Sequence, residues 1–151
     1  MKYRSVIKTI LTVLLILTAG FFSLFIKDKI DSRNPEYALP IVSVSADGTS
    51  VPIETTDFEW RLFFNGTIKK EKANIYDISV DPAILLGGEV LQIDYSLEPV
   101  SVTIKRTDSY NYNFYEIDNL DVPTERGGYL YELDINYKRG SETCYFYIVV
   151  D

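Results

Sequence analysis

Hydrophobic and polar positions follow one rule up to about residue 26 and a different one after it. From Thr9 to Ile26 (TILTVLLILTAGFFSLFI) 18 consecutive residues carry no charge. As a helix this run rises about 27 Å, close to the ~30 Å hydrocarbon core of a bilayer, and Val6 and Ile7 extend it. The pattern predicts a transmembrane helix over residues 9–26, after a basic tail over 1–8. Lys27 to Pro40 (KDKIDSRNPEYALP) is polar, charged and closed by proline, which reads as a stalk over 27–40.

From residue 41 to 151 the period shortens to two. Alternation is cleanest at Leu91/Ile93/Tyr95, Val100/Val102/Ile104 and Tyr129/Tyr131/Leu133/Ile135/Tyr137, each set lying on one face of a strand. Ile41–Ser45 and Thr49–Ile53 flank Asp47-Gly48, a dipeptide that favours the positive φ angles of a tight hairpin. Pro52 has no amide hydrogen and belongs on an edge or at a bulge. Further strands are expected at Phe58–Phe64, Ile75–Val80, Tyr112–Ile117 and Cys144–Val150, while Asp81–Leu86 could form one helical turn. Asn65-Gly66, Asp81-Pro82, Gly87-Gly88, Glu98-Pro99, Gly127-Gly128 and Arg139-Gly140 punctuate the runs. Seven to nine short strands in one domain predict an all-β fold, an antiparallel β-sandwich of two packed sheets.

The last third carries a resemblance. Tyr115–Leu120, a loop, Gly128-Tyr129-Leu130-Tyr131-Glu132-Leu133, then Arg139-Gly140 and a final strand resemble the closing strands of immunoglobulin-like domains. The resemblance implies that Tyr129 braces a corner and that Trp60 is the core tryptophan of an earlier strand. It covers about 40 residues, lacks the cysteine pair of antibody domains and implies a fold without an activity. The basic leader, single anchor and disulfide-free domain also resemble small single-pass surface proteins of Gram-positive bacteria.

A cleaved signal peptide is the competing reading of the apolar segment, because Lys2, Arg4 and Lys8 form a basic n-region and Thr18-Ala19-Gly20 offers small residues for cleavage. Cutting there would leave Phe21, Phe22, Leu24, Phe25 and Ile26 as an unpartnered apolar terminus, whereas an uncut helix keeps all five in lipid. Basic residues number three on each flank, with Asp28 and Asp31 offsetting the second. That asymmetry favours a cytoplasmic N-terminus and an extracytoplasmic C-terminal domain in the cell membrane.

Charge and composition narrow the chemistry. Without the three basic residues of the leader the chain keeps twelve basic against 22 acidic residues, a net of −10. This argues against nucleic acid and anionic lipid as partners, since both need clustered Lys and Arg. The chain has no histidine, which removes Ser-His-Asp and Cys-His catalysis and imidazole zinc sites. Cys144 has no intramolecular partner and shares a strand face with Phe146, Ile148 and Val150, so it is expected to be a buried thiol. Asp118, Asn119 and Asp121 lack the ordered spacing of a calcium loop and read as turn formers. Asn65-Gly66-Thr67 matches the N-glycosylation pattern, which matters only in a eukaryotic secretory pathway. No cofactor or metal is expected.

Twelve tyrosines are the main hint of a binding surface, and Ser109–Tyr115 sets three of them among asparagines. Tyr110, Asn111, Tyr112, Asn113 and Tyr115 combine rigid rings with paired donors and acceptors, a chemistry suited to sugars or protein surfaces. The expectation is therefore a membrane-anchored, extracytoplasmic binding module rather than an enzyme. Its partner would be a protein or an envelope polymer. Two alternatives are a carboxylate-dependent envelope hydrolase, needing two acidic side chains about 5 to 10 Å apart in a cleft, and an accessory subunit that works through its helix.

Overall fold

The computed structural model describes residues 2–71, 74–108 and 113–151. It is mostly β, with two sheets and one N-terminal apolar helix, α1 (Lys2–Arg33). The helix is long and apolar enough to cross a membrane, with a mean hydropathy of 2.4 and none of its apolar stretch buried. It does not stop where the apolar run stops. Lys27 and Asp31 pair one turn apart at 2.6 Å and carry the helix into the segment expected as a stalk. Asn34-Pro35 ends it, because the residue before a proline is pushed out of the helical region and the proline has no amide to donate. A 3₁₀ turn (Pro35–Ala38) then leads into the sheets.

The smaller sheet orders β1 (Val42–Ala46), β2 (Thr49–Val51) and β6 (Leu91–Tyr95) as β2-β1-β6, all antiparallel. Asp47 and Gly48 both take positive φ, 44° and 82°, as the expected hairpin turn requires. Pro52 falls in the break between β2 and β3 (Ile53–Arg61), where the chain leaves one sheet for the other and no ladder bond is lost.

The larger sheet runs β4-β3-β10-β9-β7-β8, with β4 at Thr67–Lys70, β7 at Ser101–Asp108, β8 at Tyr115–Glu116, β9 at Gly127–Tyr137 and β10 at Gly140–Val150. Its centre is the long β9–β10 hairpin, in register from Gly140 opposite Tyr137 to Val150 opposite Gly127. Both sheets feed one cluster. Val44, Val51 and Leu91 from the smaller sheet meet Trp60, Leu133, Ile135, Phe146 and Ile148 from the larger. Inside it the rings of Tyr131 and Phe146 stack at 4.6 Å, and Trp60 meets Tyr137 edge-on at 5.7 Å.

Four local expectations need correction. Ile75–Val80 is no strand: it forms a 3₁₀ turn at Ile75–Asp77 and then irregular backbone. Asp81–Leu86 makes no helical turn. Ala83–Leu85 forms β5, which pairs parallel with the end of β10, the one parallel pairing in otherwise antiparallel sheets among the described residues. Phe58–Phe64 is strand only as far as Arg61, since Leu62–Gly66 forms the turn into β4. In the Tyr112–Ile117 run only Tyr115–Glu116 is strand, and Tyr112 lies outside the described residues.

Cys144 is buried, its sulfur 3.4 Å from the Thr55 hydroxyl, and burial pushes the thiol up to about 12. Only the thiolate reacts readily, so the folded protein should take up no maleimide at pH 7.5 over minutes while the denatured chain reacts within them. Rapid modification of the folded form, followed by mass spectrometry, would contradict this packing.

Candidate functional site

Three polar constellations stand out, two built by the register of the larger sheet and one where the helix meets it. The first surrounds the expected tyrosine and asparagine segment. Tyr110, Asn111 and Tyr112 lie outside the described residues; Asn113 is exposed, and Tyr115 is half-exposed on the edge strand β8. Register places Arg106 of β7 opposite both Tyr115 and Tyr131. Its guanidinium donates to the Tyr115 hydroxyl through Nε at 3.1 Å and Nη2 at 2.9 Å. The same group lies 5.4 Å from the Tyr115 ring centre and 5.6 Å from that of Tyr129, within cation–π range. Phe114 turns the other way and packs edge-on against Tyr145, 6.1 Å between centres. Consecutive residues are thus pinned to opposite faces of the sheet, as period two dictates.

Tyr129 is buried and donates its hydroxyl to the Glu125 carbonyl at 2.9 Å, four residues upstream, which ties the loop to the start of β9. Trp60 is buried in the core.

The second constellation crosses the outer face of the sheet. Lys105 donates to Glu132 at 2.8 Å and to Asp134 at 2.5 Å, bonds that hold its ammonium charged well above the ordinary lysine range. Tyr145 donates to the other Glu132 oxygen. In the next row Thr143 bonds Asp57 at 3.0 Å and Asp134 at 3.1 Å. Two acidic side chains of β9 therefore meet one lysine of β7, and Thr143 of β10 lies between Asp134 and Asp57 of β3. Among the described residues no three His, Cys, Asp or Glu side chains are grouped as a metal ion would need, and Asn119 donates to Asp121 at 3.3 Å as turn residues do.

On the inner face Glu142 is buried, accepts the Tyr137 hydroxyl at 2.8 Å and leaves its second oxygen without a partner. Burial raises its carboxyl above the ordinary value of 4.5, against the Tyr137 bond, which lowers it. A carboxyl raised in the folded state binds its proton more tightly there than in the unfolded chain. Stability therefore falls as pH climbs from about 4.5 through the folded-state value. Glu142→Gln keeps an acceptor for Tyr137 and removes the charge, so at pH 7 it should melt higher by a few degrees, corresponding to about 1–2 kcal/mol. The gap should close by pH 4; an equal gap at both pH values would refute the ionic origin.

The third constellation joins helix to sheet, and no pattern in the residues pointed to it. Asp28, two residues past the apolar run, has no exposed surface. Its carboxylate accepts the backbone amides of Phe63 at 2.9 Å, Phe64 at 2.5 Å and Asn65 at 3.2 Å, three donors of the β3–β4 turn. Below it the Phe64 ring lies 4.6 Å from Phe21 and 6.5 Å from Phe25. Phe21, Phe25 and Asp28 share one helix face through spacings of four and three. Nearby, Arg139 stacks on Phe63 at 3.9 Å and donates twice to the Arg61 carbonyl. No protein-family model, no curated protein and no solved structure matches this chain.

Proposed function

We propose that this is a single-pass membrane protein whose residues 9–26 cross the bilayer. On this reading they hold an extracytoplasmic, immunoglobulin-like β-sandwich that acts by binding a protein or envelope polymer. The observation that carries the reading is the junction at Asp28. It fastens the β body to a helix whose residues from Val6 to Lys27 are all exposed. An apolar surface of that length needs a cover, and lipid is the cover its composition fits. The common core of the two sheets, the brace from Tyr129 to Glu125 and the buried Trp60 support the sandwich reading.

For the ligand-facing part the support lies at Asn113–Tyr115, where Phe114 and Tyr115 are held to opposite faces of the sheet and Asn113 faces solvent. A segment anchored on a rigid sheet presents its rings at little entropic cost. In native membranes, a photo-crosslinking residue at Asn113 should give a discrete adduct that one at Asp47 does not. Tyr115→Ala should abolish that adduct. Equal labelling from both positions, or none, would overturn the binding role. Protease added to intact cells should digest the β body; full protection would reverse the orientation, and release of the chain by alkaline carbonate would remove the anchor.

A further inference from the structure

Resting on that membrane-spanning reading of α1, we infer that the β3–β4 turn is a second membrane element: Phe63 and Phe64 enter the leaflet beside the helix and seat the β body on lipid.

Depth is the first argument. The Phe64 ring sits against Phe21 and Phe25, which precede Ile26, the end of the apolar run, by five residues and one. At 1.5 Å per residue the ring lies about 2 to 8 Å inside the apolar stretch. A helix that spans the bilayer along that stretch carries Phe64 below the headgroups.

Backbone satisfaction is the second. Hydrocarbon supplies no hydrogen-bond partners, so a loop at this level needs its own. The turn has them. Leu62 donates to the Gly66 carbonyl at 2.8 Å, and the amides of Phe63, Phe64 and Asn65 all go to Asp28. Four successive donors are closed without water.

Side-chain character is the third. Phe63 and Phe64 remain 48 % and 43 % exposed at the tip of the turn. Arg139, stacked on Phe63, places a guanidinium where phosphate groups begin, and Lys138 and Arg61 flank it. Strand register brings the 96–100 loop to the same end, since Val100 donates to the Asn136 carbonyl and Arg61 to that of Arg139. Leu97 and Val100 are exposed there. Ile84 on β5 and Leu86 and Val90 outside the named strands are exposed too, but among the described residues the ring contacts with the apolar helix come from Phe64 of the β3–β4 turn.

The test reads depth at single positions. Full-length protein bearing a nitroxide on Phe64→Cys, Leu17→Cys or Asp47→Cys is reconstituted in phosphatidylcholine vesicles. Collisions with oxygen and with a water-soluble nickel chelate are then compared, wild-type protein serving as a blank for Cys144. Oxygen should dominate at positions 17 and 64, and the chelate at 47. Lipid exposure at 17 with water exposure at 64 would overturn the inference and leave the anchor standing. Water exposure at 17 would overturn both. Phe63→Cys provides a second reporter if the label at 64 disturbs the turn, and chelate dominance at 63 is equally fatal.

Discussion

Replacing Gly140 with alanine is expected to cost about 3 kcal/mol and to lower the melting temperature by roughly 10 °C. Gly140 opens β10 directly opposite Trp60 on one side and Tyr137 on the other. A Cβ built there would stand 2.0 Å from the Glu59 carbonyl oxygen and 2.9 Å from the Trp60 Cα. Both are backbone atoms of a paired strand, so neither can swing aside as the end of a side chain would. Relief requires β3 to part from β10, which disturbs the Trp60–Tyr137 contact and the bond from the Arg61 amide to the Arg139 carbonyl. Thermal melting of the detergent-solubilised protein checks this, with Gly48→Ala as comparison. That position has open space and suffers only from its φ of 82°, a cost of about 1 kcal/mol. Equal melting of the two variants would show that the β3–β10 approach is looser than described.

Asp28→Ala is expected to free the helix from the β body while leaving that body folded. A bond from an amide to a charged acceptor contributes about 1.5–3 kcal/mol where it is well shielded. Asp28 has no exposed surface, but it lies at the edge of the molecule with little protein around it, so the three bonds are partly screened and not additive. About 3 kcal/mol for the junction is a reasonable total, which corresponds to roughly 100-fold faster hydrogen exchange. The acceleration should be confined to the amides of Phe63, Phe64 and Asn65, with those of β9 and β10 unchanged. Asp28→Asn should fall between, because an amide keeps one acceptor oxygen and loses the charge. Unchanged exchange at residues 63–65 in the alanine variant would show that the turn holds itself and that the carboxylate is incidental.

The two variants separate what was visible in the residues from what was not. The strands at 91–95, 101–108 and 127–137 were legible because their apolar residues alternate, and the last one because Cys144–Val150 is an unbroken apolar run, with glycine or proline near the bounds. β4 was not, since Ile68 is its only apolar residue and two lysines follow. Ile75–Val80 misled for the opposite reason: its apolar residues satisfy the pattern of a strand but find no partner strand, and pairing is settled by residues far away. β5 is the converse case, a short apolar run made into a strand by the exposed edge of β10.

The candidate site shows the same division. Tyr115 was singled out from its neighbours, but its setting depends on Arg106, nine residues away in sequence and opposite it across the β7–β8 ladder. Asp28 was counted only as a charge flanking the helix, although its three partners lie 35 to 37 residues on.

By itself the sequence determined that an uncharged 18-residue helix precedes a β-rich, histidine-free and acidic body with one unpaired cysteine. Each of these is written in composition or in a period of 2 or 3.6 residues. Only the tertiary structure decided which strands became neighbours, that one of them runs parallel, and that a carboxylate just past the apolar run closes over a distant turn. Those outcomes depend on which groups meet across long loops, where the free energy of a contact belongs to both partners and can be read in neither alone.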